Sequence, residues 1–110
     1  MKRISLSALL IATCVGLAGT AVAADGAAIY KSRCAMCHGA AGEGTAMGNA
    51  FKGNDFIASG GEKAIAEAIL KGRSGAAIKY KQFPMGMPAQ KLGDGDVSAL
   101  VPYLKSLASR

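Results

Sequence analysis

Residues 34–38 read Cys34-Ala35-Met36-Cys37-His38, and this stretch decides how the whole 110-residue chain is interpreted. On a turn of α-helix, positions i, i+3 and i+4 lie on one face. The two thiols and the imidazole are therefore predicted to face one bound group. The fold of this chain has to be built around that group.

The chemistry of these side chains favours a haem. Two thiols can add to the vinyl groups of a haem while an imidazole nitrogen takes an axial position on the iron, and C-x-x-C-H is the spacing of c-type haem attachment. A thioredoxin-like pair would need a βαβ pattern that the flanking sequence lacks. A zinc site needs four ligands, more than two Cys and one His supply, and a local disulfide would leave the small core unexplained. The motif therefore predicts one covalently bound haem c on Cys34 and Cys37, with His38 as the proximal iron ligand.

The first 23 residues have the organisation of a cleaved secretory signal peptide. Residues 1–3 form a short basic segment, a mostly apolar run covers 4–17, and 21–23 read Ala-Val-Ala, the small-x-small pattern that signal peptidase cleaves. The apolar run is too short for a comfortable membrane span, and an uncleaved anchor is the alternative. The sequence thus predicts an exported chain, with residues 24–110 forming a single domain that is not inserted in a membrane.

Composition limits what this domain can do. Residues 24–110 carry 11 Lys and Arg against 7 Asp and Glu, and the chain has no Trp. A chain this small buries only about 60% of its unfolded surface, so a bound cofactor is expected to supply part of the core. No phosphate-binding loop is present, and no catalytic triad can form once His38 binds iron. Few aromatic residues and no basic cluster argue against a nucleic-acid partner.

The second axial ligand has two candidates. The chain has a single His, so a thioether sulfur is the remaining soft ligand. Met36 lies inside the haem motif, and Met47 follows it so closely that packing is its expected role. Met85 and Met87 lie in residues 83–88, where prolines favour an extended segment able to lie along a haem. These observations do not decide between Met85 and Met87 as the second axial ligand.

The chain resembles small bacterial monohaem class I cytochromes c over nearly all of residues 24–110. The resemblance is carried by several stretches in the same order as in that family: Gly26-Ala27-Ala28-Ile29-Tyr30, Cys34 to Gly39, a glycine-rich loop from Gly42 to Gly48, Gly86-Met87-Pro88-Ala89, and a final helix with Leu100 and Tyr103. It implies an all-α cytochrome c fold, in which three to five short helices wrap around one covalently bound haem and the N- and C-terminal helices cross.

The resemblance also implies roles for particular residues. The family's distal ligand directly precedes Pro-Ala, which selects Met87 and leaves Met85 as second choice. Gly26 and Tyr30 correspond to the family's contact between the first and last helices. Family members often have Gly-Pro where this chain has Gly48-Asn49, so the carbonyl that orients the proximal His is expected at Asn49 without proline's stiffness.

Hydrophobic patterns predict the remaining elements. Asp25 is the expected N-cap of a helix from Gly26 toward Arg33, and residues 39–61 are expected to form a loop. A helix is predicted over 62–71, with Ile65, Ile69 and Leu70 facing inward, Gly72 closing it, and an ion pair between Glu67 and Lys71. The last helix is predicted after an N-capping turn at 94–96, with a kink at Pro102 and an apolar stripe formed by Val97, Leu100, Val101, Leu104 and Leu107.

Two classes of function are compatible with this sequence. The favoured one is a monomeric periplasmic electron carrier with His/Met ligation, which is not an enzyme because both axial positions are filled. Lys79 and Lys81 would then border the haem edge and attract redox partners with acidic surfaces. The rival is a ligand-binding, sensing or peroxidase-like haem protein in which the Met ligand is weak or displaced.

Overall fold

Five α-helices and one short 3₁₀ turn make up the regular structure of residues 24–110, the part of the chain that the computed structural model describes. The predicted signal peptide, residues 1–23, lies outside the described residues. The helices are α1 (Gly26–Arg33), α2 (Ala35–His38), α3 (Asp55–Ser59), α4 (Glu62–Lys71) and α5 (Asp94–Ala108), and the 3₁₀ turn is Gly75–Ala77. The described residues form no strand, in agreement with the all-α prediction.

Helix α1 begins as the sequence predicts. The side chain of Asp25 accepts hydrogen bonds from the amides of Ala27 and Ala28, at 3.0 and 3.3 Å, and so satisfies two of the unpaired donors of the first turn. The helix then packs across α5. A Cβ atom at Gly26 would lie 2.2 Å from the carbonyl oxygen of Ala99, so the two helices approach this closely only because position 26 has no side chain.

Tyr30 connects this helix crossing to the haem motif. Tyr30 is 1% exposed. The centroid of its ring lies 5.4 Å from that of Tyr103 on α5 and 6.0 Å from that of Phe51. Its hydroxyl donates a hydrogen bond to the carbonyl of Gly39, directly after His38. The first helix therefore holds the end of the motif through a buried aromatic side chain.

Helix α4 follows the prediction with one correction. Ile65 and Ile69 are buried, but Leu70 is 37% exposed and does not face inward. Lys71 and Glu67 form the expected ion pair at 3.2 Å, with both side chains largely in solvent, where such pairs contribute only about 0.3–0.5 kcal/mol. Gly72 ends the helix with φ +67°.

The loop expected over residues 39–61 contains a helix that the sequence analysis missed. Asn54 caps α3 by accepting a hydrogen bond from the amide of Ile57 at 3.2 Å, and the side chain of Ile57 is buried. The five-residue helix is too short to show an apolar period. At its far end, Lys105 of α5 donates a hydrogen bond to the carbonyl of Gly60 at 2.6 Å.

Helix α5 starts earlier than predicted. Asp94 and Asp96 lie in its first turn and Gly93 is the N-cap, with no side-chain cap. Carboxylates there are favoured by the helix dipole rather than by capping hydrogen bonds. The helix runs through the exposed Pro102 to Ala108, and the entire predicted apolar stripe is buried.

The close crossing of α1 and α5 predicts opposite effects for two glycine-to-alanine substitutions. Gly26→Ala should lower the free energy of unfolding by about 1–3 kcal/mol, because the new methyl group collides with a main-chain carbonyl. The new methyl group of Gly95→Ala on α5 would meet no atom within 4 Å. This variant should raise the free energy of unfolding by up to about 1 kcal/mol through helix propensity. Guanidinium titration of both haem-containing variants measures the difference, and equal effects would contradict the crossing.

The burial of Tyr30 predicts a loss of stability in alkali. Burial raises the pKa of Tyr30 to about 12, above the ordinary value of about 10. Above pH 10 the unfolded chain loses this proton while the folded chain keeps it, so the free energy of unfolding falls by up to about 1.4 kcal/mol per pH unit until about pH 12. Tyr30→Phe should lack this contribution to the fall in the free energy of unfolding. Unfolding titrations of both proteins from pH 8 to 11.5 test it, and parallel curves would refute it.

Candidate haem site

A cavity that is partly open to solvent lies between α2, α3, α4 and the segment that follows α4. Its wall is mostly apolar, and the large side chains on it include Phe51, Phe56, Ile57, Ile65, Ile69, Ile78, Tyr80, Phe83, Met87 and Leu104. Cys37 and His38 lie on the same wall, so the motif and the downstream segment meet in one cavity.

The motif forms one helical turn, as its spacing predicts. The amides of Cys37 and His38 donate hydrogen bonds to the carbonyl of Cys34 at 3.2 and 2.9 Å. Cys37 lines the cavity, whereas Cys34 is buried in the adjoining core. Before haem attachment both side chains are thiols, and burial, reinforced by the neighbouring Cys37, raises the pKa of the Cys34 thiol to about 11.

His38 is oriented by a main-chain carbonyl. Its Nδ1 atom lies 2.9 Å from the carbonyl oxygen of Asn49, and since a carbonyl only accepts, Nδ1 carries the proton. Burial lowers the pKa of His38, while the hydrogen bond to Asn49 partly opposes this. The ring is therefore neutral, with its Nε2 lone pair available to a metal ion. The carbonyl expected at Asn49 is thus present without proline.

The ring of Phe51 packs against the imidazole ring of His38. Its ring centroid lies 4.5 Å from that of His38, with an angle of 35° between the planes. Phe51 is itself buried and in contact with Tyr30. No motif or period in the sequence marks Phe51 for this role, since it is a lone aromatic residue in a segment rich in glycine and alanine.

Met87 is held by its main chain. Its amide and carbonyl exchange hydrogen bonds with the carbonyl and amide of Arg73, both at 2.8 Å, in an isolated antiparallel bridge. Cβ atoms at Gly72 and Gly86 would lie 2.4 Å from the carbonyl oxygen of Met87 and 2.1 Å from that of Arg73. Both glycines have positive φ. The bridge thus requires glycine at both positions, and its result is that Met87 lines the cavity.

The other methionines are placed differently. Met85 is 91% exposed and is not part of the cavity wall. Met36 is 78% exposed. Met47 touches the cavity but is 54% exposed, so the packing role expected for it is at most partial. Among Met85 and Met87, only Met87 shares the cavity with His38.

Within residues 24–110, the side chains with a full charge on the cavity wall are those of Arg73 and Lys79, and none is a carboxylate. The Arg73 guanidinium carbon and the Lys79 ammonium nitrogen lie 5.0 and 5.4 Å from the centre of the Phe56 ring. An apolar wall bordered by two cations fits a haem, which has an apolar macrocycle and two propionates. Cys34 and Cys37 would hold its vinyl carbons, and His38 and Met87 would bind its iron.

Comparison with known proteins agrees with this geometry. The family model for cytochrome c matches residues 23–108. The chain belongs to the cytochrome c family. A solved structure, the KustC0563 c-type cytochrome, is similar to it with a TM-score of 0.57 and 27% sequence identity, covering 77% of this chain and 99% of that one. No curated protein sequence matches significantly.

Membership establishes several of the properties expected from the sequence. The protein is a small monohaem class I cytochrome c with the all-α fold of that family, and its cofactor is covalently attached haem c. It transfers electrons through that haem and acts with redox partners. No helix of this cytochrome within residues 24–110 has the length and apolar character needed to cross a bilayer.

The contact between Gly48 and the motif predicts an effect on the reduction potential. A Cβ at Gly48 would lie 2.6 Å from the Cys37 carbonyl oxygen and 3.1 Å from Nδ1 of His38, so Gly48→Ala should push the Asn49 carbonyl away from the imidazole. A weaker hydrogen bond makes the ring a poorer electron donor and should raise the potential by an amount on the order of tens of mV, small beside the ~0.8 V range set by axial ligands. Spectroelectrochemical titration measures it.

Gly61→Ala is the matched control for this substitution. Position 61 has negative φ, and a Cβ there meets no atom within 4 Å. Its potential should equal that of the unmodified protein. An unchanged potential in Gly48→Ala would show that the Asn49 carbonyl does not tune the site.

Proposed function

We propose that this cytochrome c is a soluble periplasmic protein that carries single electrons, with Cys34 and Cys37 as thioether attachments and His38 and Met87 as axial ligands. The bound haem supplies an iron that alternates between the ferric and ferrous states. The observation that supports the ligand set most directly is that His38 and Met87 line the same cavity while Met85 points into solvent. This observation supports Met87 ahead of Met85, the second choice.

The residues around each ligand suit a centre that changes charge without rearranging. His38 is fixed by the Asn49 carbonyl and the Phe51 ring, and Met87 is fixed by its two main-chain hydrogen bonds to Arg73. With both positions filled by protein side chains, no place is left for a substrate, which favours a carrier over an enzyme. A thioether ligand also raises the reduction potential relative to two nitrogen ligands.

Location and partners follow from the sequence and the charge. Residues 1–23 would direct export and be removed, leaving residues 24–110 as a monomeric domain in the periplasm. This domain carries 11 basic and 7 acidic side chains. Redox partners with acidic surfaces would therefore be attracted to it, in particular by the exposed Lys79, which lines the cavity, and by Lys81, which is exposed two residues later.

The ligand assignment predicts that Met87→Ala and Met85→Ala behave differently. Met87→Ala should lose the weak far-red sulfur-to-iron band of the ferric protein and lower the reduction potential by an amount on the order of 0.1 V or more, within the ~0.8 V range that axial ligands span. The haem should stay covalently attached to Cys34 and Cys37. Met85→Ala should keep the band and the potential.

Absorption spectra of the purified ferric proteins, read into the far red, test this. Loss of the band in Met85→Ala instead would overturn the choice of Met87. A high-spin spectrum of the unmodified protein would mean an open iron site, and would favour the ligand-binding class of function over the carrier.

A further inference from the structure

Most of the methionine side chains in residues 24–110 are in solvent. Met85, Met36 and Met47 are 91%, 78% and 54% exposed. The remaining one, Met87, is partly buried and packs against the core. Methionine is usually among the more buried residue types, so packing does not account for the exposed three, and the proposed ligand set uses only Met87.

The two most exposed methionines lie beside residues of the haem site. Met36 is in the turn of the attachment motif, directly before Cys37, and Met85 lies two residues before Met87. Cys37 and Met87 both line the cavity. One exposed thioether therefore lies beside the proximal attachment, and another lies beside the distal ligand.

Thioethers react with two-electron oxidants such as hypochlorous acid to give sulfoxides. The sulfur gives up two electrons and takes the oxygen atom, while the hypochlorous acid is reduced to chloride with release of a proton. Since the chemistry is the same for every methionine, exposure decides the order in which their sulfurs react. Once haem is attached through Cys34 and Cys37, residues 24–110 contain no thiol that would react in their place.

A sulfoxide has different consequences at Met85 and at Met87. The Met85 side chain is in solvent, and the main chain beside it is held by a 3.0 Å hydrogen bond from the Gly86 amide to the Phe83 carbonyl. A polar oxygen added there is hydrated and disturbs no packing. At Met87 the oxygen would enter a mostly apolar wall, where burial of a polar atom is costly, and the thioether that the iron requires would be lost.

We propose that Met36 and Met85 are sites of reversible sulfoxidation, which consume two-electron oxidants such as hypochlorous acid before these reach Met87. The inference rests on the proposed role of Met87 as an axial ligand. Forming one sulfoxide destroys one molecule of oxidant, so the two exposed sulfurs protect the ligand against about two equivalents. Met47 contributes less, because it is less exposed and lines the cavity, where bound haem would cover part of it.

Titration of the purified ferric haem protein with hypochlorous acid tests this order. The far-red sulfur-to-iron band is read after each addition, and peptide mass spectrometry locates the sulfoxides. Sulfoxide should form first at Met85 and Met36, and the band should keep most of its intensity until about two equivalents have been consumed.

Loss of the band in proportion to the first equivalent, with sulfoxide at Met87, would overturn the proposal. Absence of the band before any oxidant is added would instead refute Met87 as the axial ligand, so the two failures are distinguishable. Both readings use the unmodified protein and do not depend on how any variant folds.

Removal of the exposed sulfurs provides a second test. Met36→Leu/Met85→Leu keeps apolar side chains of similar size, and its band should fall from the first equivalent. Met47→Leu is the matched control, and it should shorten the protected range by less than about half an equivalent. An unchanged range in the double variant, or its loss in Met47→Leu, would overturn the assignment to Met36 and Met85.

Reversibility is tested on protein that has consumed about two equivalents and is then treated with methionine sulfoxide reductases for both sulfoxide epimers. Mass spectrometry should show thioethers restored at Met36 and Met85, and a second titration should show the same protected range. Sulfoxides that resist both reductases would overturn the reversible role.

Discussion

The close contact between Gly26 and the carbonyl of Ala99 is the interaction on which the proximal half of the site depends. It lets the main chain of α1 lie directly against that of α5 at position 26, and Tyr30, one turn further on, is buried in the core. Tyr30 then packs on Phe51 and bonds to Gly39, and Phe51 packs on His38. The crossing of the first and last helices thus acts on the imidazole of His38 through Tyr30 and Phe51.

The distal half of the site is built in a different way. His38 is positioned by aromatic side chains and a carbonyl, whereas Met87 is positioned by a two-residue main-chain bridge at the end of α4. The bridge ties a segment with little regular structure to a helix whose Ile65 and Ile69 are buried in the core. Met87 is therefore held in place by its connection to α4 rather than by the extended segment itself.

Much of this architecture could be predicted because local signals and the motif agree. The Asp25 cap, the apolar stripe of α5 and the one-turn geometry of residues 34–38 each depend on neighbouring residues, and the structure has all three. Helix α3 was missed because five residues are too few for a period. The start of α5 was placed too late because Asp at a helix N-terminus can act either as a cap or as a first-turn residue.

Other features could not be predicted because they join residues distant in sequence. A main-chain bridge joins Arg73 to Met87, and the cations of Arg73 and Lys79 lie near the Phe56 ring. These contacts produce no periodic pattern in the sequence. The exposure of Leu70 shows the limit of assigning a helix face from apolar character alone, since a leucine on a short amphipathic helix can lie at the border of the buried stripe.

The bridge between Arg73 and Met87 also bears on how this sequence can change over evolutionary time. Its hydrogen bonds use only main-chain atoms, so the side chain at position 73 can be exchanged without breaking them. Positions 72 and 86 have no such freedom, because any Cβ would meet a carbonyl oxygen at 2.4 Å or less. The bridge itself therefore demands glycine at positions 72 and 86 and makes no demand on the side chain at position 73, whose charge serves the cavity wall instead.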